Sequence, residues 1–170
     1  MMIQIRTAIE ADAQSLVKLN QAFNGVCRRS DEVRSALRTG RSSETVLVAE
    51  ESGDVVGFVC FQTLHSVCYD SPWTEITELY VTPTRRRRGT GKALVCEAIR
   101  QAKESGVSEI LLRTNVKNDA AKKLFSQVGL EIAPHMVFHS SMEAAQPAAG
   151  ADPGNPVQCS AGKSCEPLKQ

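Results

Sequence analysis

Aromatic side chains are scarce in this chain, at 5% of 170 residues, and histidine occurs three times. His65, His135 and His139 sit in no nucleophile motif. That argues against an acyl-enzyme of the Ser–His–Asp or Cys–His kind. The shortage of rings also works against a single-stranded nucleic-acid platform, which stacks bases on aromatics beside its cations. Net charge is nearly absent: 20 Lys and Arg against 19 Asp and Glu leave +1. No general attraction to nucleic acid or to a membrane surface follows. No apolar run is long enough to span a bilayer, and Met1–Arg6 lacks a signal-peptide core, so a cytoplasmic location is the expectation. The six cysteines show no Cys-x-x-Cys pair and no zinc spacing. Cys60 and Cys96 lie in apolar segments and read as small core residues. Cys159 and Cys165 lie in a polar segment and read as free thiols.

What is present suffices for one domain. With 42% hydrophobic residues the chain can build a core. Ile3–Thr7 reads as a first strand. Ala11–Asn24 reads as a helix capped by Asp12, with Ala13, Leu16, Leu19 and Phe23 on one face. A short helix starts at Ser30, with Asp31 and Glu32 favourable in its first turn. Thr45–Glu50 and Val55–Leu64 are strands joined by the turn 51–54, the second nearly all apolar and so central. His65–Trp73 leads onward and holds Tyr69, Asp70 and Trp73, which could line a pocket. Glu109–Thr114 is a further strand, Asn118 caps a helix over Asp119–Val128, and Leu130–His139 is a last strand region limited by Pro134. Strands alternate with helices while the early strands look hairpin-linked, which predicts an α/β fold on a mixed sheet. From about Ser141 the composition turns to Ala, Pro, Gly, Ser and Gln without periodicity. Residues 1–140 therefore read as the domain and 141–170 as a disordered tail.

The stretch from Thr74 to Val95 organises the rest. Glu75–Val81 has strand-like density of β-branched and aromatic residues, and Pro83 ends it. After Arg85–Arg88 the period becomes helical, with Leu94, Val95, Ala98, Ile99 and Ala102 sharing a face. Gly89 and Gly91 permit close backbone approach and unusual φ values. The first helical turn offers free N–H groups and the positive end of the dipole. Together they make an anion cradle, with Arg85, Arg86, Arg87, Arg88 and Lys92 adding charge. It is no Walker A loop, since Arg86 stands where that motif needs a glycine and Ala93 where it needs Ser or Thr. A solvated basic turn or a nucleic-acid patch are the plainer readings of four arginines; the glycines and flanking elements favour the cradle.

Arg86-x-x-Gly89-x-Gly91, after Leu79-Tyr80-Val81-Thr82-Pro83, resembles the Arg/Gln-x-x-Gly-x-Gly/Ala signature of the GCN5-related N-acetyltransferase (GNAT) family. Asn118–Leu130 is similar to a second segment of that family, at the usual separation. The resemblance covers roughly Ile3–His139. It implies the family's acyl-CoA N-acyltransferase fold, a mixed sheet splayed between its fourth and fifth strands to admit a pantetheine arm. It also implies acetyl-CoA as donor. Leu79, Tyr80, Val81, Arg86, Arg87, Arg88, Gly89, Thr90, Gly91, Lys92 and Asn118 are then its contacts.

Acetyl transfer to an amine needs a positioned thioester, stabilisation of the developing oxyanion, and a base. A backbone N–H near Leu79–Val81 answers the second need, as the resemblance implies. Glu75 begins a Glu-Ile-x-x-Leu-x-Val run like that which carries the base in family members, and is the expected general base; Glu78 is the reserve. Strand alternation puts the two on opposite faces unless a bulge intervenes. Phe125 occupies the position where many members have a tyrosine acid, and a phenyl ring cannot donate a proton. The acceptor is expected to be a primary amine of a small cationic molecule (polyamine, amino-acid derivative or aminoglycoside), with Asp31 and Glu32 as amine contacts or plain helix-end charges. A protein N-terminal or lysine acetyltransferase, or a non-catalytic acyl-CoA sensor, are the alternatives. No metal, membrane or nucleic-acid partner is expected, and the resemblance leaves a homodimer open.

Overall fold

The computed structural model describes residues 3–39, 43–134, 136 and 137. Residues 1–133 form one compact unit and contain every helix and strand named below. Of the second unit, residues 134–170, only Pro134, Met136 and Val137 are described, the last two exposed. The expected boundary at residue 140 and the expected tail over 141–170, with Cys159 and Cys165, lie outside the described residues.

The elements are β1 (Gln4–Thr7), α1 (Ala13–Asn24), α2 (Ser30–Thr39), β2 (Glu44–Glu51), β3 (Asp54–Leu64), β4 (Trp73–Val81), α3 (Thr90–Glu104), β5 (Glu109–Leu112) and α4 (Asp119–Gln127). The five strands lie in sequence order in one sheet. β1 to β4 are antiparallel neighbours, and β4 pairs with β5 in parallel, across the α3 crossover. The mixed sheet read from the hairpin-like early strands is thus the observed one.

Each face of the sheet carries its own core. On one face Leu94, Val95 and Ala98 of α3 pack on Leu47, Val59, Phe61, Ile76 and Val81. On the other, Leu16 and Leu19 of α1 pack on Val48, Phe58, Cys60 and Tyr80, with Val33 and Leu37 of α2 alongside. Alternation along β2 and β3 splits these sets, since neighbouring residues face opposite layers. Fully burying a Leu, Val or Phe stabilises by about 1.5–3 kcal/mol, so these two layers dominate what holds the sheet in place.

Several sequence expectations change. Cys96 is exposed, because two residues on from Leu94 the helix has turned away from its buried stripe; Cys60 is buried as expected. Asp12 precedes α1 but makes no side-chain cap. Its carboxylate accepts instead from Arg6 Nη1 at 2.7 Å and Nη2 at 2.9 Å and from the Ile9 amide at 2.8 Å. The guanidinium holds that carboxyl below its ordinary value. The described residues of Leu130–His139 form no strand. Ile132 is 89% exposed, so the segment has no face to bury there, and Pro134 cannot donate to a ladder.

Candidate functional site

β4 and β5 pair only from Trp73↔Glu109 to Ile76↔Leu112. Beyond Ile76 the strands part, and Leu79–Val81 border a cleft of about 710 Å³. The cleft gathers Leu79, Tyr80, Val81, Arg86, Arg87, Gly89, Gly91, Lys92 and Asn118. Arg88 and Thr90 do not line it. Ala22 and Phe23 of α1 do, along with Ala120, Ala121, Lys123, Leu124 and Gln127 of the α4 region. Phe23 was read only as part of the apolar face of α1. The residue is 43% exposed, and its ring centroid lies 5.5 Å from that of Tyr80 and 6.3 Å, edge-on, from that of Phe58. The hint was its place at the last turn of the α1 stripe, where a helix face runs past the sheet that covers it.

The turn entering α3 has defined geometry. Gly89 is left-handed (φ 85°, ψ −7°) and begins the helix with no side-chain cap. The first intrahelical bond runs from the Ala93 amide to the Gly89 carbonyl, 2.9 Å. The earlier N–H groups are left pointing out at the positive helix end. Gly91 lies within α3 and carries no unusual φ. The expectation of special torsions therefore holds for Gly89 and not for Gly91. A Cβ there would sit 3.5 Å from Leu124 Cδ2 and 3.8 Å from Val81 Cγ2.

The arginines divide. Arg85 ion-pairs with Glu51, which is buried at the end of β2. Arg86 Nε donates to the Val81 carbonyl at 2.8 Å, and its guanidinium lies 5.5 Å over the Tyr80 ring. Arg87, Lys92 and Lys123 line the cleft without an ion-pair partner among the described residues. Across the cleft Asn118 caps α4, its Oδ1 accepting from the Ala121 amide at 3.1 Å. Phe125 packs against the α3-side core and is not part of the cleft wall.

Glu75 and Glu78 do not line the cleft, but both flank the point where the strands part. Cys60 pairs with Glu78 and Phe61 with Ile76, so Thr77 is an extra residue, a β-bulge. Gln62 pairs with Glu75. Cys60 and Gln62, two apart on β3, share a face, so Glu75 and Glu78 do too: the condition that simple alternation failed to meet is met by the bulge. Glu75 Oε1 accepts from Arg113. Thr77 Oγ1 lies 2.8 Å from Glu44 Oε1 and 3.3 Å from the Cys60 carbonyl. Burial pushes the Glu44 carboxyl up, with the nearby Glu78 charge adding to it against the Thr77 hydrogen bond. Burial, with Glu44 and Glu78 beside it, pushes the Cys60 thiol far up, so it is no nucleophile. Asp31 and Glu32 are exposed, Asp31 ion-pairing with Arg29 at 2.6 Å and Glu32 with Arg28 at 3.9 Å. Tyr69 and Asp70 are exposed on the β3–β4 loop and do not line the cleft; Trp73 opens β4. Among the described residues no His, Cys, Asp and Glu cluster could hold a metal, and no helix is long and apolar enough to cross a membrane.

Comparison with known proteins bears on this arrangement. A family model described as "Acetyltransferase (GNAT) family" matches residues 13–130. An uncharacterised N-acetyltransferase of Bacillus subtilis, YhfO, is 27% identical over 135 residues, 76% of this chain and 90% of YhfO. An uncharacterised N-acetyltransferase of Methanocaldococcus jannaschii, MJ1207, is 35% identical over 92 residues, 54% of this chain and 41% of that protein. Among solved structures, an aminoglycoside N-acetyltransferase, AAC(6')-Iy, in complex with CoA has a similar fold, with a TM-score of 0.70 at 19% identity over 82% of this chain and 95% of that one.

Proposed function

The chain belongs to the acetyltransferase (GNAT) family, and on that premise we propose that it moves an acetyl group from acetyl-CoA directly to a primary amine of a small cationic molecule. The observation that carries the reading is the junction of the opened half of β4 with the uncapped start of α3. A diphosphate fits there: free N–H groups of the first turn, the helix dipole, and the unpaired cations Arg87 and Lys92 all favour an anion. The opened strand edge beside it suits an extended arm, and Asn118 faces that arm across the cleft.

Acetyl-CoA supplies the activated acyl group. The chain's own residues then do the rest. Backbone N–H groups of Leu79–Val81 stand where charge would develop on the carbonyl oxygen. Glu75 takes the amine's proton, directly or through water, and Glu78 on the same face draws the cationic acceptor in. Phe125 contributes no proton. A thiolate is a tolerable leaving group without one, since a thiol's pKa of about 8.5 is near neutral. The aminoglycoside N-acetyltransferase in complex with CoA supports the donor and keeps aminoglycosides among the acceptors to be tried.

Thiol release from acetyl-CoA, followed across polyamines, aminoglycosides, amino acids and basic peptides, tests this. Turnover on one class of small amine is the expected outcome. Turnover on basic peptides alone would replace the small acceptor by a protein one. CoA binding without turnover on any amine would favour a sensor.

A further inference from the structure

Between Arg86 and Thr90 the backbone enters the left-handed region twice, at Arg87 (φ 62°) and at Gly89 (φ 85°). Glycine does so freely, whereas a residue with a Cβ loses about 1–2 kcal/mol there. Such a residue persists only where its surroundings over-determine it. Here the chain is tied on both sides of Arg87. Before it, Glu51 Oε2, on a side chain buried at the end of β2, pairs with Arg85 Nε. After it, the hydroxyl of Thr90, 1% exposed, donates to the Arg85 carbonyl at 3.3 Å. The tie from Arg86 Nε to the Val81 carbonyl closes the same turn against β4.

We infer that Glu51, Arg85 and Thr90 form a brace that presets the anion turn, with the Thr90 hydroxyl a positioning group and not a phosphate donor. The inference rests on the acetyl-CoA reading of the cleft. A hydroxyl has one hydrogen to give. Thr90 gives it inward to Arg85, so only lone pairs remain, and these repel phosphate oxygens. Nor does Thr90 line the cleft, although the residues on both sides of it, Gly89 and Gly91, do. Arg85 likewise spends its charge on a buried carboxylate, so the cradle's attraction comes from Arg87, Lys92 and the helix start. A turn already set in its binding shape avoids the cost of ordering on association. The arginine run is therefore two devices: Arg85 and Arg86 shape the turn, and Arg87 faces the ligand.

A double-mutant cycle on CoA affinity tests this, read by calorimetry on the full chain with CoA as the probe and the melting temperature of each variant beside it. Thr90→Val and Glu51→Gln are each expected to weaken CoA about five- to tenfold, and the double variant no more than the worse single one, because both act through Arg85. Thr90→Ser keeps the hydroxyl and is expected to recover most of the affinity. In steady state the brace variants raise KM for acetyl-CoA while kcat and the KM for the amine hold. Should Glu51→Gln not fold, Glu51→Asp, which keeps the charge but draws it back, takes its place with the same coupling expected. Losses that multiply in the double variant, wild-type affinity in Thr90→Val, or an equal rise in the amine KM overturn the brace alone. A wild-type chain that does not bind CoA overturns the reading of the cleft and the brace with it.

Discussion

Among the described residues, Trp73–Ile76 of β4 is paired on both sides, with β3 and with β5, whereas Thr77–Val81 is paired with β3 alone. The closed half holds Glu75 between Gln62 and Leu111, with Arg113 on its carboxylate. The open half leaves one edge of its backbone without a strand partner, and Leu79, Tyr80 and Val81 line the cleft there. An unpaired strand edge inside a protein is normally a liability, because its N–H and C=O groups want partners. Here it borders a groove wide enough for a ligand. The Thr77 bulge sits at the boundary and turns Glu78 onto the face of Glu75. On the proposed mechanism one strand serves two needs: the doubly paired half would be a rigid mount for the Glu75 carboxylate, and the singly paired half would offer free backbone beside it.

The largest expected effect separates the two halves by chemistry. Glu75→Gln should lower kcat about 100-fold at unchanged CoA affinity. Glu78→Gln should act mainly on the amine KM. A kcat kept in Glu75→Gln but lost about 100-fold in Glu78→Gln would move the base into the open half and break the division of labour. Next in size is the support of the open half. A Cβ on Gly57 would come 2.7 Å from the Tyr80 carbonyl and 3.2 Å from Val81 Cγ2. Among the described residues β3 is the only strand paired with that half, so the push falls on that pairing. Gly57→Ala should cost about 1–3 kcal/mol in denaturant unfolding and weaken CoA as well. Stability lost with CoA affinity intact would mean that the open half is positioned by something other than β3.

What could be read from the sequence follows the same line. The strand–turn–helix unit was legible because its parts are consecutive: strand, Pro83, arginines, Gly89, helix. So were the α3 stripe and the Asn118 cap, each set by residues a few positions apart. The bulge was not. It depends on the Cys60 carbonyl and on Glu44, which lie 17 and 33 residues from Thr77 and meet it only through strand pairing. Alternation counted along β4 alone therefore separated two carboxylates that the sheet brings together. The division of the arginines was hidden for the same reason, since nothing local says that Glu51 would reach Arg85. Phe23 was assigned to the apolar face of α1 alone because a helical stripe shows which side is apolar and not how far the covering sheet extends.

A smaller effect tests Gly91 against Gly89. A Cβ at residue 91 meets only ordinary contacts in a helical backbone, so Gly91→Ala should stabilise the fold by about 0.5–1 kcal/mol. It should leave CoA affinity close to wild type, since the signature that the turn resembles carries Gly or Ala at this position and the added Cβ meets only ordinary contacts. Gly89→Ala forces a Cβ into the left-handed region and should lose both stability and affinity. A marked loss of CoA affinity in Gly91→Ala would show that the cradle needs the space at residue 91.

The smallest expected effect concerns the boundary of the two halves and has a defined sign. Burial raises the Glu44 carboxyl above its ordinary value of 4.5, and Glu78 adds to this, while the Thr77 hydrogen bond works the other way. A folded-state value above the unfolded one favours the protonated form. Its stabilising share is fully present below the ordinary value and is lost as pH rises through the raised one. Glu44→Gln is neutral throughout and can still accept from Thr77. The wild type should therefore lose melting temperature relative to Glu44→Gln as pH is raised from about 4 toward 7, with the bulge kept in both. A difference that stays constant with pH would mean that burial does not govern Glu44. A fall in melting temperature of Glu44→Gln relative to wild type on raising pH would mean that its charged form is the one that fixes the bulge, and the rigid mount of Glu75 would then depend on an ionised neighbour.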